Sequence, residues 1–155
     1  MQGSVRSMTL DELKTYVGKE IGVSDWFALD QAKIDAFADL TEDHMFLHVN
    51  TEMAKNTPYG GTIAHGLLTL SMMPVMAYQA MPGVVGTKMG VNYGYNKVRF
   101  MAPVKSGKRI RGHFVVKALE PADGGRLQIV QDVTIEIEGE PKPALAAEWV
   151  TMVWL

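Results

Sequence analysis

A long segment without charge constrains the fold of this chain more than any other feature. From Asn56 to Thr87 there is no Asp, Glu, Lys or Arg. A segment of this length could cross a bilayer, but polar residues and a proline interrupt its apolar part, which Gly60-Gly61 and Pro82-Gly83 bound. We therefore predict that Ala64–Met81 is a helix buried on all sides in a folded protein, and not a membrane span. The interrupting residues are His65, Thr69, Ser71, Pro74, Tyr78 and Gln79.

The residues after Pro82-Gly83 carry strand signals instead. Apolar and polar residues alternate through Thr134–Glu138, with the period of a half-buried strand. Glycine-containing turns at Gly107, Asp123–Gly125 and Gly139–Pro141 separate the candidate strands. The predicted strands are Lys97–Met101, Lys108–Leu119, Leu127–Glu138 and Ala144–Trp154.

Two helices and a strand are predicted near the start of the chain. Thr9 and Glu12 have capping-box spacing, and Asp30 is a typical N-cap residue. One long apolar helix followed by an antiparallel run is typical of an α+β domain in which a helix packs against a curved sheet. The predicted elements are a helix from Thr9 to about Tyr16, a strand Ile21–Leu29, a helix Gln31–Leu40, and a short helix near Thr51–Lys55 within the loop-rich segment Thr41–Gly61.

Composition excludes several functional classes. The 155 residues carry a net charge of −2 with both signs mixed, so we expect no nucleic-acid partner and no membrane partner. The chain has no cysteine, which excludes disulfides, thiolate metal sites and cysteine nucleophiles. No linker or repeat divides residues 1–155, so we predict a single domain.

The start of the chain has no apolar stretch of the kind that marks a signal peptide. We therefore expect a cytoplasmic protein. We also expect residues 1–7 to be disordered, or to be an addition ahead of a natural start at Met8.

Asp43 and His48 lie five residues apart in the loop-rich segment. A carboxylate beside an imidazole can hold and polarise a water molecule, because the carboxylate accepts a hydrogen bond and the imidazole donates or accepts one near neutral pH. The same spacing arises by chance in surface loops, and taken alone the pair favours that explanation.

The segment Gly60–Gly66 leads directly into the predicted long helix. Glycines there let another group approach the backbone, and the free N–H groups of a first helical turn can donate to a polarised carbonyl. The alternative is an ordinary tight entry into a buried helix, with His65 satisfied in the core. Beside Asp43 and His48, such donors complete what the addition of water to a conjugated thioester requires.

Together these motifs resemble the signature of MaoC-like (R)-specific enoyl-CoA hydratases, in particular their nodulation-protein-N-like branch. The resemblance covers roughly Leu29 to Trp154. The matching stretches are Asp43-His44 with His48-Val49, Gly60–Ser71, Val91–Gly94 with Val98–Phe100, Ile135–Gly139, Lys142–Ala144 and Ala147–Trp149.

The resemblance implies a hot-dog fold, in which an antiparallel sheet wraps the helix Ala64–Met81. It also implies a homodimer with the acyl tunnel near the subunit interface. It maps Asp43 and His48 onto the catalytic pair, and the backbone N–H of Gly66 onto the donor to the thioester carbonyl. The implied partner is an acyl-CoA substrate, and the reaction needs no metal and no cofactor beyond that CoA.

One departure from the family pattern affects this site. Many members have Asn-Pro where this chain has Met45 and Phe46, so the Asn that helps to orient the site is missing. Asn92 and Ser71 are the candidates to replace it. The predicted substrate-binding residues are His65, Ser71, Asn92 and Tyr93.

Several other polar residues have two explanations. Asn92, Tyr93 and Asn96 are at least as typical of a turn as of a pocket. Arg99 is a candidate for a CoA phosphate contact, and a solvated strand residue is the alternative. We predict no partner for His44 or His113, and neither the spacing nor the chemistry of His44, His48 and His65 requires a metal.

We predict reversible syn addition of water to a trans-2-enoyl-CoA, giving the (R)-3-hydroxyacyl-CoA, with either Asp43 or His48 as the base. The first alternative is a hot-dog acyl-CoA thioesterase, which would need a carboxylate on the long helix. No Asp or Glu occurs between Ala64 and Met81, which counts against it. The second alternative is a non-catalytic acyl-thioester-binding protein, which would not need the Asp43/His48 pair.

Overall fold

Helices and strands occupy largely separate parts of the chain and form two layers. The computed structural model describes residues 6–155. The strands are β1 Ser7–Met8, β2 Glu20–Val23, β3 Phe27–Ala28, β4 Gly83–Val84, β5 Met89–Phe100, β6 Arg109–Ala122, β7 Arg126–Ile137 and β8 Leu145–Trp154. The helices are α1 Leu10–Lys14, α2 Gln31–Thr41, α3 Phe46–Val49, α4 Thr51–Ala54, α5 Gly66–Ser71 and α6 Met73–Ala80.

The main sheet is antiparallel and has the order β2-β6-β7-β8-β5, with β3 also paired to β6. The predicted period-two pattern is confirmed in β7, where Val133, Ile135 and Ile137 are buried and the residues between them are not. β5 forms one edge of this sheet, and its only partner within the described chain is β8. β1 and β4 form a separate two-stranded parallel pair.

The predicted long helix is present, but its start, its continuity and its burial differ from the prediction. It begins at Gly66, and it is divided at Met72 into α5 and α6. Pro74 explains the irregularity, because proline has no N–H to donate to the carbonyl four residues earlier. Burial on all sides is wrong for the single chain, since Leu67 and Tyr78 are 61% and 80% exposed.

The opposite face of the helix packs tightly on the sheet. A β-carbon at Gly22 would collide with the backbone carbonyl of Ala80, and one at Gly112 would meet the ring of Phe114 and the sulfur of Met76. These two glycines therefore set how closely α6 approaches β2 and β6. The large side chains that are fully buried in the core include Met73, Met76, Ile110, Phe114, Val116, Val133, Ile135 and Leu145.

The α+β hot-dog arrangement predicted from the sequence is confirmed, with some element bounds corrected. The predicted strand Ile21–Leu29 is two short strands, β2 and β3. The predicted strand Lys97–Met101 is much longer, because β5 starts at Met89, so Asn92, Tyr93 and Asn96 are strand residues and not turn residues. Helix α1 ends at Lys14 and not near Tyr16, and α3 was not predicted.

The expectation for residues 1–7 lies mostly outside the described residues. Where the description starts, Ser7 pairs with Gly83, and the carbonyl of Arg6 accepts a hydrogen bond from Gly83 N at 2.8 Å. The end of that segment is therefore part of β1. Among residues 6–155, no helix has both the length and the apolar character needed to cross a membrane.

Candidate active site

Two segments meet to form the candidate site: helix α3, which carries His48, and the loop that leads into α5. They are joined by a reciprocal pair of hydrogen bonds. The N–H of Ile63 donates to the carbonyl of Leu47 at 3.0 Å, and Nδ1 of His48 donates to the carbonyl of Ile63 at 2.7 Å. The second bond places the proton on Nδ1, so Nε2 of the neutral His48 ring is an acceptor.

Asp43 approaches the same place from the C-terminal end of α2. Glu42 caps that helix in the left-handed conformation, with φ of 62°, and turns the chain toward Asp43. The Asp43 carboxylate is exposed and accepts a hydrogen bond from the N–H of Met45 at 3.3 Å. A carboxylate oxygen of Asp43 lies within 4.8 Å of a ring nitrogen of His48. An ionised carboxylate and His48 Nε2 are both acceptors, so one water molecule can donate a hydrogen to each.

His65 lies behind this pair and contacts both of its members. Its ring is 3% exposed and stacks on the ring of His48, with centroids 3.8 Å apart, while Phe37 packs at 4.9 Å. Nε2 of His65 donates to the main-chain carbonyl of Asp43 at 3.0 Å. Its Nδ1 is buried without a hydrogen-bond partner in the described part of the chain. The structure thus places His65 behind the pair, not on the surface that a substrate would touch.

The distances between the possible ligand atoms of Asp43, His48 and His65 also suit a metal ion, since one such atom from each residue lies within 4.8 Å of the others. The orientation of the rings suits it less well. A zinc ion needs imidazole nitrogens that converge on one point at about 2.0–2.1 Å, whereas these rings are stacked with an angle of 25° between them. Their nitrogens therefore do not converge on one point as the ligands of a tetrahedral zinc ion do.

Gln31 and Thr62 hold the two segments in place, although neither is predicted from the sequence to be a site residue. Nε2 of Gln31 donates to the carbonyl of His48 at 2.7 Å, and the Thr62 hydroxyl donates to Oε1 of Gln31 at 2.5 Å. Thr62 lies within the glycine-rich motif and could have been suspected. Gln31 has no sequence signal, because its role depends on α2 lying beside α3 in the fold.

The cavity beside His48 has a volume of 320 Å³. Gly66 lines it, and the N–H of Gly66 has no acceptor among the described residues. The ring of Phe100 covers this glycine so closely that a β-carbon there would lie 2.9 Å from it. The other lining residues are Tyr59, Ile63, Ala64, Thr69, Met101, Ala102, Pro103, Val104 and Ala144.

Four other candidates from the sequence are not brought into this cavity. Ser71 is exposed and donates to the carbonyl of Leu67 at 2.7 Å. Tyr93 is exposed on β5, and Arg99 bonds to the carbonyl of Val98. Asn92 lines a larger apolar groove of 510 Å³, which lies toward the other end of the long helix, between α6 and the edge of the sheet. Within one chain, neither Ser71 nor Asn92 can therefore replace the missing Asn.

The prediction that His44 and His113 lack partners is wrong. Nε2 of His44 lies 2.8 Å from a carboxylate oxygen of Asp39, and this hydrogen bond raises the pKa of His44. His113 lies between Glu136 and Glu20, at 2.6 and 3.2 Å. Both histidines have structural partners away from the cavity.

Comparison with known proteins decides the family. The sequence profile of the MaoC like domain matches residues 12–138. This chain belongs to the MaoC-like family. The family contains hydratases and dehydratases of acyl thioesters.

Relatives of this MaoC-like protein align with it over nearly the whole length of both chains. Nodulation protein N of Rhizobium leguminosarum bv. viciae is 45% identical over 96% of this chain and 93% of its own. 3-Hydroxyacyl-thioester dehydratase Z of Mycobacterium tuberculosis is 42% identical over 88% of this chain and 90% of its own. The solved (R)-hydratase from A. caviae involved in PHA biosynthesis has a TM-score of 0.69 and 27% identity, over 85% of this chain and 95% of that one.

Proposed function

We propose that the protein is an (R)-specific enoyl-CoA hydratase, which adds water reversibly to a trans-2-enoyl-CoA. One observation carries the proposal: a carboxylate oxygen of Asp43 lies within 4.8 Å of a ring nitrogen of His48, whose Nε2 is left as an acceptor, and Gly66 lines the same cavity as His48. The pair suits the attacking water, and the N–H of Gly66 suits the thioester oxygen. The named activities of the dehydratase and the (R)-hydratase described above support the same reaction class.

In the hydration direction, water donates one hydrogen to His48 Nε2 and one to the Asp43 carboxylate. This arrangement leaves an oxygen lone pair free to attack C3 of the enoyl group. As the C–O bond forms, one member of the pair takes a proton from the water, and a proton is returned to C2 from the same side. H and OH have then been added overall, the pair is back in its starting ionisation state, and no cofactor is consumed.

The carbonyl end of the substrate needs stabilisation at the same moment. Attack at C3 moves negative charge onto the thioester oxygen, which becomes enolate-like. A preorganised N–H donor at that oxygen lowers the barrier, because it does not have to reorient during the reaction. Gly66 N–H is the donor that we assign, with the remainder of the thioester lying along the cavity under Phe100.

Two alternative activities are less consistent with the structure. A thioesterase needs a carboxylate on the long helix, and α5 and α6 contain none. A binding protein would not need the Asp43 carboxylate and the free His48 nitrogen together. The cytoplasmic location, the absence of a metal and the role of each site residue stay predictions from the sequence.

Crotonyl-CoA separates the three activities in one assay. A hydratase removes the absorbance of the conjugated enoyl group without releasing thiol, whereas a thioesterase releases free CoA. A binding protein does neither. Chiral analysis of the product should give the (R)-3-hydroxyacyl thioester, and thiol release at the rate of substrate loss would exclude the hydratase assignment.

A further inference from the structure

A second cavity, of 360 Å³, adjoins the cavity beside His48, and Tyr59 lines both. The walls also continue along the chain from one cavity to the other, through Ile63 to Thr62 and through Val104 to Lys105. The lining contains two lysines and no carboxylate. Its residues are Thr51, Lys55, Tyr59, Gly60, Gly61, Thr62, Lys105 and Ser106.

The two lysines differ in whether they already form an ion pair with a carboxylate. Lys55 lies 3.0 Å from the carboxylate of Glu52, one turn earlier on the exposed face of α4. Lys105 is exposed and makes no ion pair within 4.0 Å in the part of the chain that the structure describes. Lys105 therefore contributes an unbalanced positive charge to this cavity.

The backbone of the opposite wall adds hydrogen-bond donors. The N–H groups of Gly61 and Thr62 have no acceptor among residues 6–155. A β-carbon at Gly60 or Gly61 would meet nothing within 4 Å, so the space beside this backbone is open to another molecule. Neighbouring free N–H groups beside cationic side chains are a typical setting for a phosphate oxygen.

We propose that this second cavity binds the phosphates of the CoA carrier, while the thioester lies in the cavity beside His48. The inference rests on the proposed function, because it takes the substrate to be a thioester on a phosphorylated pantetheine arm. Lys105 is the principal contact, and Lys55 reaches the phosphate in competition with Glu52. A carrier protein would present a single phosphodiester on the same arm, and CoA presents a diphosphate and a ribose phosphate.

Three crotonyl thioesters test the assignment: crotonyl-CoA, crotonyl-4′-phosphopantetheine and crotonyl-pantetheine, which has no phosphate. Lys105→Ala should raise KM for crotonyl-CoA about two- to fivefold, with kcat unchanged and crotonyl-pantetheine unaffected. Lys55→Ala should have a smaller effect in the same direction. Salt should reduce the advantage of crotonyl-CoA over crotonyl-pantetheine in the wild type.

Two further variants sharpen this test. Glu52→Gln frees Lys55 from its ion pair, so it should lower KM for crotonyl-CoA. Lys142→Ala removes the same charge from an exposed loop outside both cavities, and it should leave every KM unchanged. If the KM of crotonyl-4′-phosphopantetheine is as far below that of crotonyl-pantetheine as the KM of crotonyl-CoA is, the site binds the phosphate that CoA shares with carrier proteins. If only crotonyl-CoA has the lower KM, the site binds the outer phosphates of CoA. Either result supports the site.

Binding of free CoA, followed by calorimetry, tests the subsite without turnover. The Lys55→Ala, Lys105→Ala double variant should weaken CoA binding about tenfold and leave pantetheine binding unchanged. Equal CoA affinity in the wild type and the double variant would overturn the proposal, as would equal losses for pantetheine. If CoA binds as expected but no crotonyl thioester turns over, the hydratase assignment fails and the phosphate site stands.

Discussion

At the scale of single residues, the hydrogen bond from His48 Nδ1 to the carbonyl of Ile63 determines which ring nitrogen can accept a proton. Because Nε2 and the Asp43 carboxylate are proposed to share one water, neither should work alone. Asp43→Asn and His48→Ala should each lower kcat by about 10²-fold or more while the protein stays folded. The double variant should be little worse than the poorer single variant, since the two groups act as a unit. Near-wild-type turnover of crotonyl-CoA by either variant would remove that residue from the mechanism.

His65 offers a test of positioning that does not involve substrate contact. His65→Phe keeps a ring between His48 and Phe37 but loses the hydrogen bond to the carbonyl of Asp43, and it also removes the buried Nδ1 that has no partner. His65→Gln keeps a donor but loses the stacked ring. Because an unpaired buried acceptor costs stability, we expect His65→Phe to melt within a few degrees of the wild type.

Both variants should nevertheless lower kcat about tenfold, with little change in KM, because a small displacement of catalytic groups is costly. A purely structural role for His65 predicts lower melting temperatures with normal kcat per folded molecule. A combined measurement of thermal unfolding and kinetics distinguishes these outcomes.

Gly66 is proposed to donate its N–H to the thioester, and the space beside its Cα limits which side chains can replace it. Gly66→Val should lower turnover per folded molecule by about 10²-fold, because side-chain atoms crowd the thioester that must approach the N–H. The structure adds a complication, since any β-carbon at Gly66 also meets the ring of Phe100. Phe100→Ala in the same chain should recover thermal stability without recovering turnover. Recovery of turnover together with stability would show that Gly66 serves packing and not catalysis.

Asp43, His48 and Gly66 lie in local sequence motifs, and the family resemblance assigns them their roles. In the structure His48 and Gly66 line one cavity, and Asp43 lies beside His48. Gln31 has no such motif, because its contact with His48 depends on two helices lying side by side. Asn92 was a candidate to replace the missing Asn, but β5 carries it into a different groove. A local motif indicates the chemistry of residues that are close in sequence. It does not indicate which residues from distant parts of the chain contact them in the fold.

At the scale of elements, the sequence predicted the strands with clear alternation and underestimated β5. From Val133 to Ile137, β7 alternates buried apolar residues with polar residues that are not buried, so its period is visible there. β5 is exposed along most of its length, and Gly90, Asn92, Gly94 and Asn96 interrupt it with residues typical of turns. Edge strands need no buried face within their own chain, so their pattern is weak.

The outer face of the β6–β7 pair carries a set of ion pairs that predicts acid sensitivity. Arg111 and His113 both bond to Glu136, and these bonds lower the pKa of Glu136. A lowered carboxyl pKa contributes stability above the ordinary value of 4.5, and that contribution is lost as the pH falls through the folded-state pKa.

Glu136→Gln should therefore lower the free energy of unfolding by about 0.5–1 kcal/mol at neutral pH, and the difference from the wild type should vanish in acid. Urea unfolding from pH 3 to pH 7 measures this difference. Glu120→Gln, on the exposed end of β6 and outside these ion pairs, is the matched control and should show no such convergence. A constant difference for Glu136→Gln across the range would show that packing, and not charge, is responsible.

At the scale of the whole molecule, several of the apolar side chains that one chain leaves exposed lie on its β5 side. β5 is a 12-residue edge strand, and Met89, Val91 and Tyr93 on it are 51%, 42% and 63% exposed. Tyr78 on the neighbouring helix is exposed as well. A long apolar edge strand invites pairing with another chain, and proteins normally cover or charge such edges. A second copy paired through β5 would cover this edge and also close the apolar groove beside α6.

We expect a homodimer, with a sedimentation mass of about twice 17.1 kDa at micromolar concentration. Val91→Lys places a charge on the exposed edge and should shift the protein to a monomer with reduced hydratase activity. Thr134→Lys places the same charge on an exposed position of β7, away from that edge, and should remain dimeric and active. Because a covered edge strand depends on its partner, the melting temperature of the wild type should rise with concentration, and that of Val91→Lys should not. A wild-type chain that sediments at 17.1 kDa and hydrates crotonyl-CoA at full rate would show that β5 needs no partner and that each chain contains a complete site.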